Sequence, residues 1–112
     1  MAAGFNEGTP ALLTAADGVY GTVSAGKTAV AVNILLHNSD TAPRQVDLYL
    51  VPDGGSPEAA NQIHSQHAAR SLRAGELKII DLPGVILGGG ATVRGKADTT
   101  NKVSIRVSII EE

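Results

Sequence analysis

The amino-acid sequence predicts an all-β protein: an antiparallel sandwich or jelly roll of about eight short strands, an extended N-terminal arm and at most one short helix. Three observations carry this. The best-patterned segments alternate with a period of two, as where Val103, Ile105, Val107 and Ile109 interleave with Ser104, Arg106 and Ser108; such alternation fits a strand with one buried face. Clusters of Gly, Pro, Asp and Ser recur between the apolar runs at the spacing of a β-sandwich. No segment holds a sustained helical repeat of apolar residues.

Taken in order, residues 1–18 are rich in Ala, Gly and Thr, with Phe5, Leu12 and Leu13 as scattered apolar side chains. This composition predicts an arm lying along a surface, so the chain divides into an arm (1–18) and a β domain (19–112). Val19 to Val23 begins the strands and leads through Ser24-Ala25-Gly26-Lys27 into Thr28 to Asn38. There Val30, Val32, Ile34 and Leu36 share one face, and Gly26 supplies the positive φ of a hairpin turn. After the polar loop Ser39 to Pro43, Arg44 to Val51 carries Val46, Leu48 and Leu50 on one side. Ser56-Pro57-Glu58 resembles a helix start, with a hydroxyl cap, proline at the first position and an acid in the first turn; it predicts about two turns ending by Gln62. His64 to Leu72 is expected to be extended. Glu76 to Leu82 is a strand that Pro83-Gly84 breaks, with a brief apolar stretch, Val85 to Leu87, beyond it. Thr92 to Ala97 and Lys102 to Ile110 complete the set. The turn at Val23 to Thr28 echoes in Leu72-Arg73-Ala74-Gly75-Glu76-Leu77 and, more loosely, in Leu87-Gly88-Gly89-Gly90-Ala91-Thr92.

Bulk composition bounds the function. At 112 residues the chain is one domain. Aromatics are 3% and Trp is absent, so the core is built from Val, Ile, Leu and Ala, and so thin a core hints at stabilisation by partner subunits. A net charge of −2 gives no reason to expect nucleic acid. No apolar run approaches the roughly 20 residues of a membrane helix, and the N-terminus lacks a basic-then-apolar leader pattern. With no cysteine, disulfides and thiol chemistry are excluded.

Several constellations imitate chemistry. Gly21 to Thr28 reads Gly-Thr-Val-Ser-Ala-Gly-Lys-Thr, a match to the phosphate-loop pattern. Asp81-Leu82-Pro83-Gly84 matches a switch motif, and Asn101-Lys102 starts a guanine-reading motif. A working phosphate loop must feed a helix whose N-terminal amides hold the anion, whereas Lys27-Thr28 feeds an alternating strand. Ser104 stands where the guanine-pairing acid belongs, and the chain lacks the crossover helices of a parallel nucleotide fold. His64 and His67 form a His-x-x-His pair without a neighbouring acid or cysteine, so no metal is expected. No nucleophile elbow frames a serine, and the basic residues are scattered with few aromatics, unlike a single-strand nucleic-acid platform. The expectation is a non-enzyme with no catalytic residues, cofactor or metal.

The stretch from Gly18 to Ser39, followed by Arg44-Gln-Val-Asp-Leu-Tyr-Leu-Val-Pro, resembles small structural proteins of tailed bacteriophages. Their pattern Tyr-x-Val-Pro-Ala-Gly-Lys-Thr-Ala precedes a strand ending in Asn and another close to Val-x-Leu-Tyr-Leu-Val-Pro. The turn at Leu72 to Leu77 and the Gly90-Ala-Thr-Val-Arg segment also fit. Ser24 replaces the usual Pro, Gly88-Gly89 replaces an acidic-Ala pair, and the arm lies outside the likeness. The resemblance implies an all-β virion component: a head decoration (cement) protein on the capsid surface, made in the bacterial host cytoplasm, binding the major capsid protein as a homo-oligomer, a trimer favoured. A tail, neck or fibre-associated protein of the same fold is the alternative, and a carbohydrate-binding module, with Tyr20, Tyr49 and Phe5 as its only rings, a further one. Neither nucleic acid nor membrane is an expected partner. Phe5, Leu12 and Leu13 are the residues expected to touch neighbouring subunits.

Overall fold

Alternating burial along the chain produces two antiparallel sheets whose inner faces share one core. The structure, a computed structural model, describes residues 4–7, 10–56, 62–64 and 72–112, with 4–7, 62–64 and 83–85 described by backbone alone. Among the described residues nine strand segments run β1 (Gly4–Glu7), β2 (Ala11–Leu12), β3 (Gly18–Thr22), β4 (Thr28–Asn38), β5 (Val46–Val51), β6 (Gln62–His64), β7 (Leu77–Gly88), β8 (Thr92–Ala97) and β9 (Val103–Glu111). One sheet has the order β1-β9-β4-β7, with β2 also on β9, and the other β3-β8-β5-β6. β1 pairs with residues 108–111 of β9 and β2 with 104–105. These two segments lie along one side of β9, so the described strands occupy eight positions. Among the described residues there is no helix.

The core is aliphatic, as the composition requires. Val32, Ile34 and Leu36 of β4 and Val103, Ile105, Val107 and Ile109 of β9 meet Val46 and Leu48 of β5 and Val93 of β8. Gly21 in β3 shows how closely the sheets approach: a Cβ there would lie 2.8 Å from Val107 Cγ1 across the interior.

Four expectations need correction. Leu13 is fully buried in the core of its own chain, its N–H donating to the Val103 carbonyl at 2.8 Å. β1 and β2 thus pair onto the first sheet and Leu13 enters the core, where an arm apart from the domain was expected; the scattered apolar residues hid two short strands and a core position. Val30 is half-exposed while Ala29 is buried, because a bulge between Ala29 and Ala31 shifts the register against both β7 and β9 and reverses the alternation. Pro83-Gly84 does not break β7, which runs on to Gly88. β7 has β4 as its one described neighbour and a bulge opposite Ala29–Ala31, a place where a residue without an N–H is tolerated. Finally, Ser24–Lys27 is not a hairpin turn: β3 and β4 belong to different sheets, so it crosses between layers. The predicted helix falls on residues 57–61, outside the described residues, while Gln62 begins a strand.

The repeated turn is borne out in geometry. Lys27 N–H donates to the Ser24 carbonyl, Glu76 to Arg73, Ala91 to Gly88 and Gly55 to Pro52. The third residue of each is glycine with φ between 73° and 87°, the type II arrangement that a side chain resists.

Candidate functional site

Lys27, the phosphate-loop lysine, stands on an exposed inter-sheet turn followed by β4, so no helix N-terminus forms there. Asn101 and Lys102 sit at the far end of β4, where the Lys102 carbonyl accepts the Ser39 N–H. β4 has 11 residues, and at about 3.3 Å per residue it separates the two motifs by roughly 30 Å. Asp81 points outward from the middle of β7, in register with Asn33. The nucleotide-like residues are thus strung along one strand pair instead of gathered around a ligand.

The histidines are also apart. His37 lies on the outer face of the first sheet opposite Leu77 and Ser104, and His64 pairs with Leu48 in the second; His67 is outside the described residues. Tyr20 packs against the core, whereas Tyr49 stands beside Arg94 on β8, so the two tyrosines do not form one stacking platform.

Two polar hubs are structural. Asn38, fully buried at the end of β4, donates from Nδ2 to the carbonyls of Ala42, Leu72 and Arg73 at 3.0–3.1 Å and accepts the Asp40 N–H on Oδ1 at 3.0 Å. It joins the 39–43 loop to the turn before β7. At the opposite end, Glu111 accepts the Ser24 N–H at 2.8 Å and the Ser24 hydroxyl at 2.9 Å. Arg44 Nε donates to Asp40 at 2.7 Å; that hydrogen bond, then the one from Thr41 N–H, holds the Asp40 carboxyl below its usual pKa of 3.8.

The surface with the character of a docking site is β7. Asn38 N–H donates to the Glu76 carbonyl and His37 faces Leu77 without that exchange. The antiparallel alternation then turns the N–H and C=O of Lys78, Ile80 and Leu82 toward β4, and those of Leu77, Ile79 and Asp81 away from it. The same outward residues carry exposed side chains: Leu77 is 59% and Ile79 61% exposed, and Ile86 beyond the bulge is 76% exposed. Leu35 extends this apolar row onto β4. The side chains of Lys78 and Asp81 make no hydrogen bond or ion pair among the described residues. Sequence reading missed this surface because alternation tells that a strand has two faces, not which strands take its edges.

Of the three residues expected at subunit contacts, Leu13 has no exposed surface to offer. Leu12 is 47% exposed and lines a shallow apolar groove with Pro10, Ala11 and Ser104. The Phe5 backbone pairs with Ile110. No protein-family model matches the chain, and none of the curated proteins matches its sequence.

Proposed function

We propose that this chain is a non-enzymatic virion structural protein that decorates the outside of a phage head and ties coat subunits together. The observation that carries the reading is the exposed pair Leu77 and Ile79 on β7, continued by the half-buried Leu35 of β4, set on an aliphatic two-sheet body. Aliphatic side chains held outward on a regular scaffold favour burial against another protein surface. The strand order β1-β9-β4-β7 over β3-β8-β5-β6 supports a jelly-roll reading, in which successive strands from β3 to β9 largely alternate between layers, as in many shell proteins. The sequence resemblance supports the phage setting, the capsid partner and a homo-oligomer, with a trimer favoured.

The mechanism is additive. Each coat joint that the protein bridges gains part of the roughly 25 cal/mol per Å² of apolar burial, less the cost of ordering and docking. Repetition over a shell accumulates small gains. The test is electron cryomicroscopy of heads lacking this protein, before and after adding it. Added density at regular positions on the head surface is expected, along with a higher temperature of genome release. Density confined to the tail or neck would replace this reading with the tail-accessory one, and an Ile79→Lys chain that binds heads as well as wild type would remove β7 from the contact.

A further inference from the structure

The docking face has a backbone edge as well as an apolar surface, and its charges constrain what can pair there. Edge strands normally invite a further strand unless blocked. Here Leu77, Ile79 and Asp81 direct their backbone groups outward, as the Asn38–Glu76 hydrogen bond fixes, and no described strand takes them.

A second copy of this chain is a poor occupant. Antiparallel pairing of two β7 edges sets residues of equal parity opposite each other, because facing residues share a sheet face. Lys78 and Asp81 differ in parity, so they never face each other in any such register. Asp81 would instead meet Leu77, Ile79 or another Asp81, and Lys78 would meet Ile80, Leu82 or another Lys78. Glu76 faces Lys78 only in the register centred on Leu77, which leaves Asp81 beyond the paired residues. Self-pairing therefore gives neither charge an opposite partner, and neither side chain has one among the described residues.

We propose that the β7 edge accepts an extended strand from a different protein: apolar opposite Leu77, Ile79 and Ile80, acidic opposite Lys78 and basic opposite Asp81. Main-chain hydrogen bonds give the attachment and the alternating side chains give the choice of partner. This rests on the reading of β7 as a docking face and adds the partner's chemistry.

For an antiparallel strand the pattern is met by the peptide TRVVEVT, with TEVVRVT as its charge-swapped control. Amide exchange and titration followed by nuclear magnetic resonance test it on the full chain. The Leu77, Ile79 and Asp81 amides are expected to exchange quickly in the free protein and to become protected when TRVVEVT is added. The swapped peptide is expected to bind about five- to tenfold more weakly, since opposite-charge pairs across strands stabilise and like-charge pairs oppose. The double reversal Lys78→Glu/Asp81→Lys, at two surface positions, should invert that preference. Equal binding of both peptides, no binding of either, or slow exchange of the three amides in the free chain would overturn the proposal. So would a dimer in sedimentation that Ile79→Lys dissolves. The assay contains no phage particle, so its failure leaves the head-binding test standing, and the converse holds.

Discussion

At the residue scale, Asn38 does the work of a loop's worth of contacts. Every polar atom of its buried amide is occupied by backbone groups from two separate segments. Asn38→Ala would leave the carbonyls of Leu72 and Arg73 and the N–H of Asp40 without that partner. A loss of about 2–4 kcal/mol is expected in urea unfolding, whereas Asn33→Ala, half-exposed on the outer face, should change little. Asp40 gives the pH-dependent counterpart. Its carboxyl is depressed by Arg44 and Thr41, so its contribution is complete above the unfolded value of 3.8 and is lost as pH falls through the lower folded value. In a carbon-detected titration Arg44→Met should raise the Asp40 midpoint toward the ordinary value; an unmoved midpoint would show that another group sets it.

At the element scale, the four glycine turns share one hydrogen bond and one backbone conformation but differ in surroundings. Nothing lies within 4 Å of a Cβ built on Gly26, while one on Gly90 would sit 2.6 Å from the Asp53 carboxylate. Gly26→Ala is therefore expected to cost only the conformational penalty, about 1 kcal/mol, and Gly90→Ala clearly more. Asp53→Ala should recover part of the difference, measured by thermal unfolding of the double variant. The β4–β7 bulge belongs to this scale too. Alternation after Lys27 was readable and β4 has the predicted bounds, but the bulge at Val30 was not readable, because local sequence does not show where a register slips against two neighbours.

At the scale of the whole molecule, the N-terminal segment decides between assembly and folding. An arm that serves only neighbours could be removed without harm to the domain. Leu13 instead fills the core, and β1 and β2 cover the open side of β9. Deletion of residues 1–13 is thus expected to lower the unfolding midpoint in urea, and Leu13→Ala alone to cost about 2–5 kcal/mol. A deleted chain as stable as the full one would contradict the buried position. Leu12→Ser should leave stability nearly unchanged, since that side chain is already half in solvent.

The sequence by itself determined the β class, most strand positions and the glycine turns, because a period of two and the need for positive φ are local properties of a few neighbouring residues. It also separated the phosphate-loop imitation from the real article, since the alternating residues after Lys27 cannot form the required helix. Which strands pair, that Ser24–Lys27 crosses between sheets, that Leu13 belongs to the core and that no described strand takes the second edge of β7 were decided only by the tertiary structure. Those outcomes depend on contacts between residues distant in the chain, where burial against a particular neighbour, and not local pattern, sets the free energy.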